Sequence, residues 1–261
     1  MRKVYFDDTV AFQFHLLQKF SDQIEHAVFS RRGGVSKAPF DTLNVRYGIG
    51  DSHSSVQKNR RIILGCMQAE RVVSANQTHS NNVQIVDEEF LRFQPEDDEK
   101  DETDAFVTNV RGVALLVQVA DCQAILFYDP VKQVVAAVHA GWKGLVQDIS
   151  GETLKIMRMH YDSDPAHILV GISPSLGPQS AFFSNPEKEL PSSFAPFIDN
   201  QKRVDLWDYS LHQLQEHGIQ KNNIELARVC TQQDGGNNFF SFRRDHGITG
   251  RFGVVISLLP Q

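Results

Sequence analysis

The chain has 261 residues, of which 41% are hydrophobic and 22% charged, with a formal net charge of −6, three cysteines and ten histidines. Enough apolar material is present for a continuous core, which excludes a disordered tail, a collagen-like repeat and a disulfide-dependent miniprotein. The acidic balance lacks the footprint of a nucleic-acid binder, the odd and scattered cysteines argue for a reducing compartment, and no apolar run approaches the roughly 20 residues that span a bilayer.

The expected location is therefore the cytoplasm, with no nucleic-acid or membrane partner. In chain order, short β-branched or aromatic segments predict strands at His26–Ser30, Arg71–Ala75, Val83–Val86, Ala105–Thr108 and Val113–Ala120. Further strands are predicted at Ala124–Tyr128, Val134–His139, His167–Ile172, Ile224–Cys230 and Phe252–Leu258. Helical spacing of apolar residues predicts a helix from Ser54 to Gln68 after an Asp51 or Ser52 cap, a second from Gly144 to His160 and a third from Val204 to Glu216, stopped by Gly218. The charge run Phe93–Glu102 and the stretch Ser184–Ser193 read as solvated loops. The fold class is α/β, as one continuous domain over residues 1–261.

Asp129-Pro130 marks a turn. A tight reversal over Asp129–Lys132 would place Cys122 directly opposite His139 on an antiparallel pair, where a thiol and an imidazole reach one ion. His79, in the polar stretch Asn76–Asn82, is the best third ligand. Two imidazoles and a thiolate leave one tetrahedral position open, as catalytic zinc requires. Two other readings stay open on the same residues: a buried apolar cysteine beside a structural histidine, and a Cys122–His139 hydrolase dyad. The chain has no C-x-x-C, H-E-x-x-H or His-x-His pattern, so the common zinc motifs and a multi-copper cluster are not expected.

Elsewhere, Ser30-Arg31-Arg32-Gly33-Gly34 pairs guanidiniums with a double glycine suited to an oxyanion, and Gly141-Trp142-Lys143-Gly144 is expected to open a helix where an anion is favoured. An ordinary glycine turn and a packed tryptophan are the plainer alternatives. Phe239-Phe240-Ser241-Phe242-Arg243-Arg244 joins aromatics to arginines, a set that can stack on a base or simply fill a core. Cys66 and Cys230 read as core thiols.

Taken together, these motifs resemble the YfiH-like family, also called the laccase-domain or polyphenol-oxidase family and regarded as purine nucleoside phosphorylases. The resemblance runs in order through Ser30–Ser36, Leu43-Asn44, Gln77-Thr78-His79, Thr103–Thr108, Ala120-Asp121-Cys122, Val138–Gly144, Gly171–Pro178, Phe240–Arg244 and Thr249-Gly250-Arg251. It implies an α/β/β/α sandwich with mixed sheets, similar to the catalytic domain of cytotoxic necrotizing factors. Zinc, ahead of copper, is implied on His79, Cys122 and His139. The implied reaction is phosphorolysis of adenosine, inosine, guanosine and methylthioadenosine to a base and ribose 1-phosphate, with adenosine deamination as a second activity.

On that footing His79, Cys122 and His139 are the candidate catalytic set, and Arg31, Asn44, Arg60, Gln77 and Lys143 the candidate substrate contacts, with Arg31 and Lys143 on the phosphate side. Asp121 is expected to turn to the opposite strand face from Cys122. Two alternatives accompany this reading: a hydrolase editing peptidoglycan precursors, and a non-catalytic zinc protein that binds a partner. The chain departs from the family where Ala124 replaces a frequent proline and where Gln179-Ser180-Ala181-Phe182 replaces Cys-Cys-Tyr-Glu.

Overall fold

The computed structural model describes residues 1–95 and 99–260. Its strands are β1 (Arg2–Phe6), β2 (Thr9–Gln13), β3 (Ile24–Phe29), β4 (Arg71–Ala75), β5 (Val83–Ile85), β6 (Glu99–Lys100), β7 (Ala105–Thr108), β8 (Val113–Val119), β9 (Gln123–Asp129), β10 (Val134–Ala140), β11 (Leu169–Ile172), β12 (Ile224–Leu226) and β13 (Phe252–Leu258). They form two mixed sheets, ordered β1-β2-β3-β13-β8-β4-β6 and β12-β11-β9-β10-β7-β5.

The central strands β8, β9, β10 and β13 are buried at every residue. Such strands read as continuous apolar runs because both faces are covered. Between the sheets, Val117, Val119, Val254 and Ile256 meet Leu126, Tyr128, Val135 and Ala137. Outside the first sheet, Ala114, Leu116 and Val255 pack with Ile63 and Met67 at the helix His53–Cys66. Outside the second, Ile125, Phe127 and Val138 pack on Leu154 and Met157 of the helix Ile149–Tyr161 and Leu214 of the helix Leu206–Glu216. Helix, sheet, sheet and helix are thus stacked in the expected sandwich.

The structure departs from the predicted elements in four places, one being the strand predicted at Ile224–Cys230, which ends at Leu226 before a left-handed Arg228. The helix expected over Gly144–His160 is two, Trp142–Val146 and Ile149–Tyr161, because Asp148 turns left-handed at φ 57° and its carboxylate caps Gly151 N. In the charge run, Phe93 ends a helix from Glu88, capped by Asp87, and Glu99-Lys100 pair with β4, while residues 96–98 lie outside the described residues. The loop predicted at Ser184–Ser193 contains the helical turn Pro186–Glu189. Strands β1 and β2 have no sequence expectation at all: they form an edge hairpin on β3 with half-exposed, charge-bearing residues. No helix of the described residues is long and apolar enough to cross a membrane.

Candidate metal centre

Three times the chain leaves the first sheet and enters the second at the same end of the sandwich. The crossings run from β4 to β5, from β6 to β7 and from β8 to β9. Parallel pairing of β4 with β6 and β8 aligns their exits, and parallel pairing of β5 with β7 aligns the returns. The crossings deliver His79, Asp104 and Cys122 in turn, and β10 ends among them with His139.

The ligand atoms of His79, Cys122 and His139 all lie within 4.8 Å of one another. Cys122 Sγ stands 3.7 Å from His79 Nε2, and the two imidazoles meet edge to face at 4.7 Å. No fourth His, Cys, Asp or Glu joins this cluster among the described residues.

Asp104 organises the group. Its side chain is fully buried, and its Oδ1 accepts from His139 Nδ1 at 2.8 Å. A carboxylate can only accept, so Nδ1 carries the proton and Nε2 is left as the ligand atom. The same carboxylate accepts the amides of Thr78, His79 and Ser80 and the Ser80 hydroxyl. Those contacts hold His79 in the left-handed region at φ 63°, a conformation a non-glycine residue keeps only when its surroundings impose it.

Gly141 completes the cradle. A Cβ there would lie 2.5 Å from His79 Cδ2, 3.1 Å from its Nε2 and 3.2 Å from Cys122 Sγ. Burial would push the Cys122 thiol up, but the hydrogen bonds and charges of His139 and His79 outweigh it and bring the thiol down. Burial would likewise push His139 down, yet Asp104 and Cys122 raise it. Burial opposes ionisation of Asp104 too, and its bonds to His139 and Ser80 hold it well below the usual carboxylate range. A thiolate and two oriented imidazoles are a donor set suited to zinc or copper, and three protein ligands leave room for a fourth from solution. The residues therefore fit a single metal ion.

The three candidate ligands come together by a different register from the expected one. Asp129 Oδ1 accepts the amides of Val131 and Lys132, and Gln133 is left-handed at φ 54°, so the turn is longer than a tight reversal. His139 pairs with Ala124 rather than Cys122. The slip is two residues, which preserves the face of every side chain. Cys122 itself lies in the crossing just before β9. The strand-alternation expectation for Asp121 also fails, because Asp121 is left-handed at φ 86° and outside the strand. Its carboxylate accepts from Thr231 Oγ1 at 2.6 Å and from Arg243 N at 2.6 Å.

A cavity of about 430 Å³ opens on the cluster, with His79, Cys122 and His139 in its wall. Of the five candidate substrate contacts only Gln77 lines it, and its amide is engaged at both ends with the backbone of Gln118. Asn44 is fully buried and acts at one remove, its Oδ1 accepting the amides of Arg46 and Arg251. Arg60 is buried against Val45 O, Ser74 and Glu99. Arg31 is bonded to Asp41 and lies over Phe240, away from the lining. The double-glycine loop beside it is packed rather than open, since a Cβ on Gly34 would lie 2.3 Å from Thr42 O. Lys143 is exposed outside the lining, with its ammonium 5.6 Å over the Trp142 ring.

Positive charge reaches the cavity instead from Arg46, Arg243 and Arg251. None has a carboxylate partner within 4 Å among the described residues. None of the three is among the substrate contacts expected from the sequence, where Arg243 stands only in a set that can stack on a base or fill a core. Arg243 and Arg251 do stand in motifs singled out there, but what makes them neighbours is the loop that returns to β13, invisible to local pattern.

Comparisons with known proteins identify the family and the fold. The profile of the family described as multi-copper polyphenol oxidoreductase laccase matches residues 25–259. The chain is 33% identical over 244 residues to the purine nucleoside phosphorylase YlmD of Bacillus subtilis strain 168, covering 88% of this chain and 86% of the relative. It is 35% identical over 237 residues to a purine nucleoside phosphorylase of Corynebacterium glutamicum, covering 88% and 92%. The crystal structure of the Bacillus licheniformis hypothetical protein YfiH superposes with a TM-score of 0.85 at 26% identity, over 96% of each chain.

Proposed function

The chain belongs to the laccase-like, YfiH-type family, and we propose that it is a zinc-dependent purine nucleoside phosphorylase. The single observation behind this reading is a three-donor metal cluster that opens into a cavity where three arginines have no carboxylate partner within 4 Å among the described residues. Oxidase chemistry on several coppers is disfavoured, because His79, Cys122 and His139 form one ion's worth of ligands and no second cluster exists among the described residues. Zinc suits the mixed nitrogen and sulfur set, ahead of copper.

In the proposed reaction the glycosidic C1′–N9 bond of adenosine, inosine, guanosine or methylthioadenosine breaks with its electron pair leaving on the purine. A phosphate oxygen bonds C1′, and a proton ends on the released base. Arg46, Arg243 and Arg251 bind phosphate, since guanidiniums match its geometry and are here not neutralised in advance. Asn44 sets the backbone of Arg46 and Arg251, and Gln77 fixes the wall along β8. Asp104 keeps His139 in its ligand tautomer. When bound on His79, Cys122 and His139, the metal supplies Lewis acidity to an oxygen in the fourth position. Deamination of adenosine by water to inosine and ammonia is the second activity within this proposal.

One observation favours a second reading. Cys122 is a thiol held toward the thiolate by two imidazoles, the state that a nucleophile in an amidase acting on cell-wall precursors requires. Incubation of metal-defined protein with each nucleoside, with and without phosphate, separates the two. Phosphate-dependent release of base with ribose 1-phosphate is the expected result. No turnover of any nucleoside by zinc-loaded protein would rule the phosphorylase out. Arg251→Gln is expected to raise the KM for phosphate roughly tenfold or more, the scale of one lost hydrogen bond to a charged group. An unchanged phosphate KM would remove Arg251 from that role.

A further inference from the structure

The motif Phe239–Arg244 supplies Arg243 to the cavity, and its third aromatic is placed unlike the first two. Phe239 and Phe240 are buried in the inter-sheet core, whereas Phe242 is 50% exposed and lines the cavity. An exposed phenyl ring on a loose loop would mean little. This loop is pinned.

Arg243 N donates to Asp121 Oδ2 at 2.6 Å, Gly247 N donates to Phe242 O at 2.9 Å, and Asp245 N donates to Ser241 O at 3.1 Å. Asp245 further holds Arg244 and the Thr249 hydroxyl. Gly247 adopts φ +88°, a left-handed backbone that favours glycine, and its α-carbon side faces the Phe242 ring, where a Cβ would stand 3.3 Å away. The Arg251 guanidinium lies 5.4 Å from the ring centroid. One side of the ring is thus occupied by the protein, and half its surface still faces solvent at the cavity.

The other aromatics of the wall are not free in this way. Trp142 and Phe183 meet edge to face at 5.8 Å, and Phe183 is 9% exposed within the core of the second sheet. Phe183 is therefore packed, and Trp142 is partly buried, with its ring engaged by Phe183 and the Lys143 ammonium. Phe242 is also tied to the metal centre through one residue, because Asp121, which holds the Arg243 amide, immediately precedes the ligand Cys122.

We propose that Phe242 is the platform on which the purine ring of the substrate stacks, and that Asp121 is the positioning residue that sets this platform relative to the metal ligands. The proposal rests on the phosphorylase reading above. It deepens that reading by giving the aromatic base a stacking surface beside the arginines that would hold phosphate. Stacking on a phenyl face is tolerant of base identity, since every purine offers a π-face, so this wall favours purines as a class rather than one nucleoside.

The test is steady-state phosphorolysis by zinc-loaded Phe242→Ala and Phe242→Leu, with zinc content and melting temperature measured alongside. The nucleoside KM is expected to rise at least about fivefold in both, the lower end for loss of one base–aromatic contact. Zinc content is expected to stay within twofold, the phosphate KM is expected to rise less than the nucleoside KM because Arg251 lies beside the ring, and Phe242→Tyr is expected to recover most of the loss. Leucine keeps apolar volume, so a leucine variant with unchanged nucleoside KM would overturn the stacking role. Equal rises in both KM values would overturn it as well.

Should the wild type turn over no nucleoside, equilibrium dialysis with adenine decides the matter separately. Binding weakened at least fivefold in Phe242→Ala supports the platform; equal binding, or none to either protein, contradicts it. For Asp121→Asn the nucleoside KM is expected to rise while zinc is retained. Loss of zinc with unchanged KM in the residual holoenzyme would contradict its positioning role.

Discussion

Two histidines of this protein are buried to nearly the same degree, His26 at 2% exposure and His139 at 3%, yet their surroundings drive them in opposite directions. His26 lies on β3, its ring stacked on Phe14 and its Nε2 accepting the Phe14 amide at 2.8 Å. Burial dominates there and lowers its pKa to about 4, with the nearby Glu225 charge opposing only in part. At His139 burial pulls the same way, but the Asp104 carboxylate bonded to Nδ1 and the Cys122 thiol beside the ring raise it. Burial by itself says little about a histidine. What decides is whether the ring meets an amide N–H, which needs a neutral acceptor, or a carboxylate, which fixes the tautomer and frees the other nitrogen for a metal.

Removing each ring should separate the two regions sharply. His139→Ala is expected to lose the metal and reduce nucleoside turnover to background, measured by zinc analysis and product formation, while its far-ultraviolet spectrum stays native. Gly141→Ala should come close to this without touching a ligand, because the new Cβ displaces His79 from the cradle. Full zinc content in that variant would show the cradle to be looser than the structure describes. Asp104→Asn preserves shape but not charge, and its zinc affinity is expected to fall about 10- to 100-fold, the usual cost of disturbing the partner of a ligating histidine. A competition titration with a chelating indicator reads this directly.

The effect at His26 leaves the metal centre untouched and falls on stability alone. The folded pKa of this histidine lies below the unfolded value of about 6.5, so the unfolded chain binds the extra proton. The stability contributed is full above pH 6.5 and is lost as pH falls from 6.5 toward 4. The loss amounts to about 3 kcal/mol over that window. His26→Gln keeps an acceptor for Phe14 N but cannot titrate, and urea unfolding across pH 4–7 should show a flatter acid limb with zinc content unchanged. An equally steep limb would place the acid sensitivity elsewhere.

Much of this was legible in the sequence, and the exceptions have physical causes. The buried strands announced themselves as apolar runs such as Val113–Val119 and Val134–Ala140, because a strand covered on both faces needs no alternation. The edge hairpin β1–β2 did not, since residues such as Arg2 and Lys3 carry no core signal. His79, Cys122 and His139 were picked out by residue type and motif, but the turn that was to pair Cys122 with His139 is lengthened by Asp129 and Gln133. The group survives because a two-residue slip keeps side chains on their faces and because Cys122 arrives by its own crossing. Asp104 stood in a motif without a role, for nothing local shows that its carboxylate will collect three amides and a histidine. Lys143 looked like a phosphate ligand at a helix start, yet that helix is five residues long and the ammonium lies over Trp142. Arg46, Arg243 and Arg251 are neighbours only after both sheets and the loop returning to β13 are in place.

On the proposed function, the three crossings between the two sheets build one metal-dependent site for phosphorolysis. The most direct test measures zinc per chain and phosphate-dependent base release together, in the wild type before chelation, after chelation and after zinc is restored. The account predicts one zinc per chain, loss of turnover with the metal and its return on reloading. Undiminished phosphorolysis by the metal-free protein would contradict it.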